Sequence, residues 1–175
     1  AEWTPSQIRE EYAITNGRIV ARGGTFKREK AKFADYVLFY KPHIPLAVIE
    51  AKDNNHSTGD GMQQALDYAQ RLMVPFVFTS NGDSFIFHNR IATDKTKETI
   101  LPLDKFPAPE ELWQLYKHNQ SISPEQEMVI SQPYYAERGD KTPRYYQRNA
   151  INLSVDAIAC GQNRILLVMA TGTGK

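Results

Sequence analysis

Cysteine is nearly absent from this chain: Cys160 stands alone, so no disulfide framework can staple it, and no Cys/His spacing suits a zinc site. Long apolar runs are missing too. Nothing approaches the roughly 20 residues that a membrane helix needs, and no signal-peptide pattern opens the chain. The expectation is a cytoplasmic protein with no membrane partner. Net charge is small, +1 from 21 basic and 20 acidic residues, which neither demands nor forbids a polyanionic partner. Histidine is sparse, and His43, His56, His88 and His118 each read as surface or turn residues. Repeats and low-complexity tracts do not occur. What remains is a globular composition, 41% hydrophobic, with enough apolar residues for a core. The length suits one full domain and part of another, and the start at Ala1 rather than Met implies sequence upstream.

The charge that is present is unevenly placed. Between Arg18 and Lys32 the cations Arg18, Arg22, Lys27, Arg28, Lys30 and Lys32 face only Glu29. Such a run is either a solvated loop or a phosphate-contacting one. Around it, residues 8–14 and 18–20 look like strands joined by a turn at Asn16-Gly17. Residues 22–32 form a basic, Gly-containing loop. The clearest strands are 35–40 and 46–51, separated by Lys41-Pro42-His43-Ile44, with Pro45 at the tolerated first position of the second strand.

Ser57-Thr58-Gly59-Asp60 offers helix-capping chemistry. Met62, Ala65, Leu66, Ala69 and Met73 then recur at helical spacing, which predicts a helix over 60–73. Pro75 ends it, Phe76-Val77-Phe78-Thr79 is a buried strand, and Asn81-Gly82 turns the chain back through Phe85-Ile86-Phe87. The order of strands, helix and strands predicts an α/β or α+β core. Prolines punctuate 92–142, where one short helix is expected over 110–116 in a connector. Thr142-Pro143 opens a further helix, with Pro at its first position, that runs through Ile151 and Val155 to Gly161.

The chain closes on Arg164-Ile165-Leu166-Leu167-Val168, a predicted buried strand, followed by Met169-Ala170-Thr171-Gly172-Thr173-Gly174-Lys175. That is the front of a phosphate-binding loop. Its glycines would let backbone N–H groups close around phosphates, and Lys175 would reach the terminal ones. The Ser/Thr that would hold Mg²⁺ lies beyond Lys175, so an ATPase is begun here and continues outside the sequence given.

The two strongest strands, taken as an antiparallel hairpin closed over Lys41 to Ile44, set Asp35 opposite Glu50. Val37 then faces Val48 and Phe39 faces Leu46. Alternation puts Lys52 on the same face as Glu50 and turns Ala51 away. Opposed Cβ atoms lie about 5 Å apart, so two carboxylates here would repel and lose hydration. A divalent cation between them removes that cost, and Mg²⁺ is commonly held by one or two carboxylates plus water and phosphate. The same residues also read as a plain ion-pair cluster of Asp35 or Glu50 with Lys52.

Asp35, Val48-Ile49-Glu50-Ala51-Lys52 and Gln64-Ala65-Leu66-Asp67-Tyr68 together resemble the PD-(D/E)xK nuclease pattern with its trailing Q-x-x-x-Y helix. The form is similar to the N-terminal nuclease of the motor (R, or HsdR) subunit of type I restriction enzymes, which precedes a superfamily 2 translocase. Tyr146-Gln147-Arg148-Asn149-Ala150-Ile151 resembles the family's adenine-reading glutamine motif. The resemblance covers nearly the whole chain. It implies a restriction-endonuclease-like mixed sheet with flanking helices over 1–105, a connector over 106–141, and over 142–175 the first helix, strand and P-loop of a RecA-like ATPase domain.

By the same resemblance, Asp35 and Glu50 bind Mg²⁺, Lys52 is the catalytic lysine, and Gln64 and Tyr68 position the active site or the DNA backbone. Gln147, Thr171, Gly172, Thr173, Gly174 and Lys175 would bind ATP. Arg22, Lys27, Arg28, Lys30 and Lys32 would hold double-stranded DNA by its phosphates, contacts that carry no sequence information. Sequence choice would come from a specificity (S) subunit, assembled with a methyltransferase (M) subunit. Two departures stand out. Ala34 replaces the motif proline, and the family's first helix, with its own acidic residue, would lie upstream of Ala1; Glu11 is a candidate substitute. The alternative reading is a non-cutting, DNA-binding domain of a repair or remodelling superfamily 2 helicase. A more distant one is a small-molecule ATPase with an α/β regulatory domain.

Overall fold

The computed structural model describes residues 2–15, 19–22, 25–28, 30–53, 57, 61–92, 97–134 and 142–169. Among the described residues eight strands form: β1 Ile8–Thr15, β2 Ile19–Arg22, β3 Thr25–Arg28, β4 Lys32–Lys41, β5 Ile44–Ala51, β6 Phe76–Ser80, β7 Ser84–Asn89 and β8 Glu98–Pro102. The α-helices described with them are α1 Met62–Leu72, α2 Pro109–Gln120, α3 Pro124–Ile130 and α4 Tyr145–Ala159. Six strands make one mixed sheet in the order β1-β4-β5-β6-β7-β8. Only the β5–β6 pair in it is parallel, and α1 is the crossover that a parallel pair requires. The expected α/β core with flanking helices is therefore present.

Strand alternation splits the apolar residues between two layers. On one face, Val37, Phe39, Val48 and Val77 pack with Ala65, Tyr68, Ala69 and Leu72 of α1. On the other, Leu38, Ala47, Phe76 and Phe78 pack with Leu112 and Trp113 of α2. The segment expected as a connector thus contributes two helices. Trp113, 1% exposed, stacks on Tyr40 at 4.7 Å and donates through its indole N–H to Glu127 of α3 at 2.6 Å.

Several local expectations are corrected. Residues 8–14 and 18–20 do not pair with each other: β1 pairs with β4, and β2 with β3. Pairing with β4 lets β1 bury Ile14 in the core, a long-range gain that a local turn at Asn16-Gly17 could not supply; those two residues lie outside the described ones. The basic stretch 22–32 is not simply a loop, since β2 and β3 form a ribbon in which Arg22 pairs with Thr25. The turn between β4 and β5 is two residues, Pro42-His43, rather than four. Register irregularities beside it set Phe39 against Pro45 instead of Leu46. His43 is a turn residue, as expected, but is buried.

Helix α1 is capped by Gly61, at φ 95°, with no side-chain cap; Thr58, Gly59 and Asp60 lie outside the described residues. Helix α4 begins after Pro143 with Arg144 as N-cap, because the Gln147 side chain accepts the Arg144 N–H there at 2.9 Å. Strand β8 and α3 were not expected. Arg164-Ile165-Leu166-Leu167-Val168 forms no strand and is not buried: Leu166 and Val168 are each 86% exposed. Among the described residues it has no sheet neighbour to pair with, and a lone strand leaves its ladder unmade.

Candidate metal-dependent active site

Everything that brings the acidic pair together sits at the C-terminal end of β5, where α1 begins. Open α/β sheets characteristically bind ligands at such strand ends. Tyr36 pairs with Ile49 and Val37 with Val48, so Asp35 reaches Glu50 as the hairpin register requires. The two are tied reciprocally. Glu50 Oε1 accepts the Asp35 backbone N–H at 3.3 Å, and Asp35 Oδ2 accepts the Ala51 N–H at 2.8 Å. Glu50 is fully buried beside Thr79 of β6. Its other oxygen accepts from Gln64 Nε2 at 2.8 Å and lies 4.0 Å from Lys52 Nζ.

Burial pushes the Glu50 carboxyl up to about 7, and the charge of Asp35 adds to the rise. The Asp35 N–H and Lys52 pull the other way without winning. This is the frustrated pair that opposed carboxylates imply: hydration is lost and a like charge stands close. Burial also raises the Tyr68 phenol, with Glu50 adding to the effect and a hydrogen bond from Gln64 opposing it. Tyr68 is 5% exposed in the α1 face of the core, so Gln64 is anchored from behind while it holds Glu50 in front.

The donor set suits a hard divalent cation. Two carboxylates on rigid, adjacent strands supply oxygen ligands, and Mg²⁺ ordinarily completes its shell with water. Among the described residues no group of three or more His, Cys, Asp or Glu stands together. Glu11 lies in β1 between Glu10, paired with Tyr36, and Tyr12, paired with Ala34. It is exposed and has a left-handed backbone, φ 44°.

One residue here escaped the sequence reading. A Cβ on Gly61 would come within 2.9 Å of Lys52 Cε and 3.8 Å of Glu50 Cβ. The bare backbone leaves the lane through which Lys52 extends. Its signal was a glycine directly ahead of the helical periodicity.

The other expected site residues are spread more widely. Lys30 and Lys32 are exposed ahead of Asp35. The backbones of Arg22, Lys27 and Arg28 lie in the β2–β3 ribbon. Gln147 sits in the first turn of α4. Thr171, Gly172, Thr173, Gly174 and Lys175 lie outside the described residues.

Residues 10–96 match the family described as the N terminus of the type I restriction enzyme R protein. The chain is 50% identical over 171 residues to the type I restriction enzyme EcoAI endonuclease subunit of Escherichia coli, covering 97% of this chain and 21% of that one.

The chain belongs to the R-protein family of type I restriction enzymes.

The EcoKI endonuclease subunit of Escherichia coli (strain K12) is 28% identical over 190 residues, covering 82% of this R-family chain and 16% of its own length. A solved fragment described as an HsdR subunit of a type I restriction enzyme from Vibrio vulnificus YJ016 has the same fold. Its TM-score is 0.80 at 38% identity, covering 96% of this chain and 31% of that one. Residues 140–175 match the family described as the res subunit of type III restriction enzymes, in keeping with the start of a helicase-type ATPase domain. The R-family chain thus spans 21% and 16% of the length of the two curated relatives.

Proposed function

We propose that this segment is the Mg²⁺-dependent DNA endonuclease domain of a type I restriction R subunit, leading into an ATP-driven translocase. The partition is 1–105 for the nuclease and 106–141 for a connecting layer, with 142–175 opening the motor. The observation that carries the reading is the fully buried Glu50, held against Asp35 with its carboxyl raised to about 7, beside Lys52 on the same sheet face. Carboxyls raised by burial beside a like charge concentrate at functional sites. The relatives are named as endonuclease subunits, which speaks against the non-cutting alternative.

Asp35 and Glu50 would hold the Mg²⁺, which when bound supplies an activated water and polarises the phosphodiester. Lys52 would orient that water and offset charge developing on the phosphoryl oxygen. Gln64 fixes one oxygen of Glu50, and Tyr68 holds Gln64 from the core. The ribbon carrying Arg22, Lys27 and Arg28, with Lys30 and Lys32 after it, would hold duplex DNA by its phosphates and feed it towards Asp35. Gln147 and the loop from Thr171 to Lys175 would bind ATP in the full-length protein. The S subunit, assembled with the M subunit, would choose the site.

Glu50→Ala in the full complex should abolish cleavage while leaving ATP hydrolysis at the wild-type rate. Cleavage that persists would overturn the assignment.

A further inference from the structure

At the end of the β4–β5 hairpin away from Asp35 and Glu50 lies a cleft of about 410 Å³, lined from the β4–β5 turn, α2 and α4. Tyr116 and Tyr134 give it two phenol rings, and Asp156 of α4 gives it a carboxylate. Among the described residues no cation pairs with Asp156, and burial holds its carboxyl above the usual range. Burial also lifts both phenols to about 12; Asp156 adds to each rise, against Arg148 in the case of Tyr134. The carboxylate therefore acts across the space that the two rings border.

His43 of the turn lines the same cleft, is 6% exposed, and has no hydrogen-bond partner at Nε2. Burial lowers its pKa against a hydrogen bond between the ring and the Ile130 main chain, so the imidazole is neutral. The other nitrogen makes that bond, which leaves Nε2 as a bare acceptor. Buried polar atoms are ordinarily satisfied, so this one marks a place where a donor fits. The donors of the lining are turned elsewhere. Asn149 gives an N–H to the Arg71 carbonyl at 2.9 Å, Asn152 to that of His43 at 3.0 Å and Gln132 to that of Met128 at 3.0 Å. Arg90 gives its Nη1 to the carbonyls of Ala69 and Val74.

An unpaired carboxylate, a bare imidazole nitrogen and aromatic rings together suit an organic cation. Its N–H groups bond the carboxylate with charge assistance, and ring quadrupoles attract ammonium and guanidinium alike. We infer that this cleft binds a small aliphatic ammonium or guanidinium compound, its charged head between Asp156 and the tyrosine rings and a further N–H on His43 Nε2. The volume is in the range of small-molecule sites. None of these residues belongs to the Asp35–Glu50 constellation or to the ATP reading of Gln147 and the loop after it. Bound there, the cation would tie α4 to the turn of the hairpin whose far end carries Asp35 and Glu50.

The test titrates agmatine, which carries an ammonium and a guanidinium on one short stem, into the full-length R subunit by calorimetry. Butanediol serves as the uncharged counterpart. A saturable site is expected for agmatine and none for butanediol. Asp156→Asn should weaken that site by about tenfold or more, since a charge-assisted contact is lost. The charge removed is desolvated and unpaired, so the variant should melt no lower than wild type, and lost binding then reads as a lost contact. Binding should also weaken as pH falls and Asp156 takes up its proton. A wild-type subunit without a saturable site overturns the inference, as does Asp156→Asn binding at wild-type strength. An equal loss in Asp104→Asn, an exposed acid elsewhere, overturns it too, by showing diffuse attraction to acidic surface. Glu50→Ala should bind agmatine normally, so this site and the nuclease assignment fail independently.

Discussion

At the scale of single residues, Glu50 carries the proposed chemistry and much of its cost. Its carboxyl is raised from 4.5 to about 7 by burial and by Asp35. A raised acid binds its proton more tightly when folded. Its contribution is therefore complete below the ordinary value and is lost as pH rises through about 7. With divalent metal chelated, ionising Glu50 should cost about 3 kcal/mol. Glu50→Gln removes that charge, so at pH 8 in chelator the variant should melt roughly 6–12 °C above wild type. The gap should narrow towards pH 5, and melting curves at the two pH values check both statements. Equal melting at pH 8 would mean that the buried carboxylate is not strained.

Gly61 acts at the same scale. Alanine there meets a left-handed backbone, worth about 1–2 kcal/mol, and places a methyl group 2.9 Å from Lys52 Cε. The lysine end can swing aside cheaply, so activity suffers more than stability does. Gly61→Ala should cut DNA cleavage severely and spare ATPase activity; cleavage at the wild-type rate would show that Lys52 needs no such lane.

At the scale of elements, α2 and α3 show why a proline-punctuated stretch is structural. Trp113 fills the lower core, and Glu127 of α3 accepts from its indole while pairing with Lys117 at 2.7 Å. Trp113→Ala should cost about 3–5 kcal/mol, read as a lower denaturant midpoint with little change in slope. Part of this was readable: Ser123-Pro124-Glu125-Gln126 has the capping-box pattern, and Gln126 does return its side chain to the Ser123 N–H at 2.8 Å. Strand β8 offered no such signal. It is the last strand of the sheet, with Ile100 72% exposed, so no alternation marks it. The hairpin of β4 and β5 was legible because a short turn fixes register locally, whereas β1 pairs with partners much farther along the chain, from Thr15 with Lys32 to Ile8 with Leu38.

At the scale of the whole molecule, DNA would have to reach a site set at one end of the sheet. The β2–β3 ribbon stands outside that sheet and runs on through Lys30 and Lys32 towards Asp35. Neutralising Lys27, Arg28 and Lys30 together should weaken DNA binding by the full complex and flatten its salt dependence by roughly 1 per lost phosphate contact. A salt slope identical to wild type would remove the ribbon from the DNA path. Helix α4 is clamped to the turn between β4 and β5, to α1 and to β1. Asn152 donates to the His43 carbonyl at 3.0 Å, Asn149 to the Arg71 carbonyl at 2.9 Å, and Arg148 reaches Tyr12. Helix α4 is thereby packed against the six-stranded sheet and its first helix, α1.

The sequence by itself determined the acidic pair, the lysine beside it and the Gln64–Tyr68 spacing. Strand alternation and helical periodicity act between near neighbours and need no knowledge of the rest of the chain. Only the tertiary structure decided what those residues touch. Which way α1 turns over the sheet delivers Gln64 to Glu50, and the close approach of Gly61 leaves room for Lys52. The ionisation of Glu50 follows from how completely β6 and α1 exclude water from it, a property of packing that no local pattern encodes.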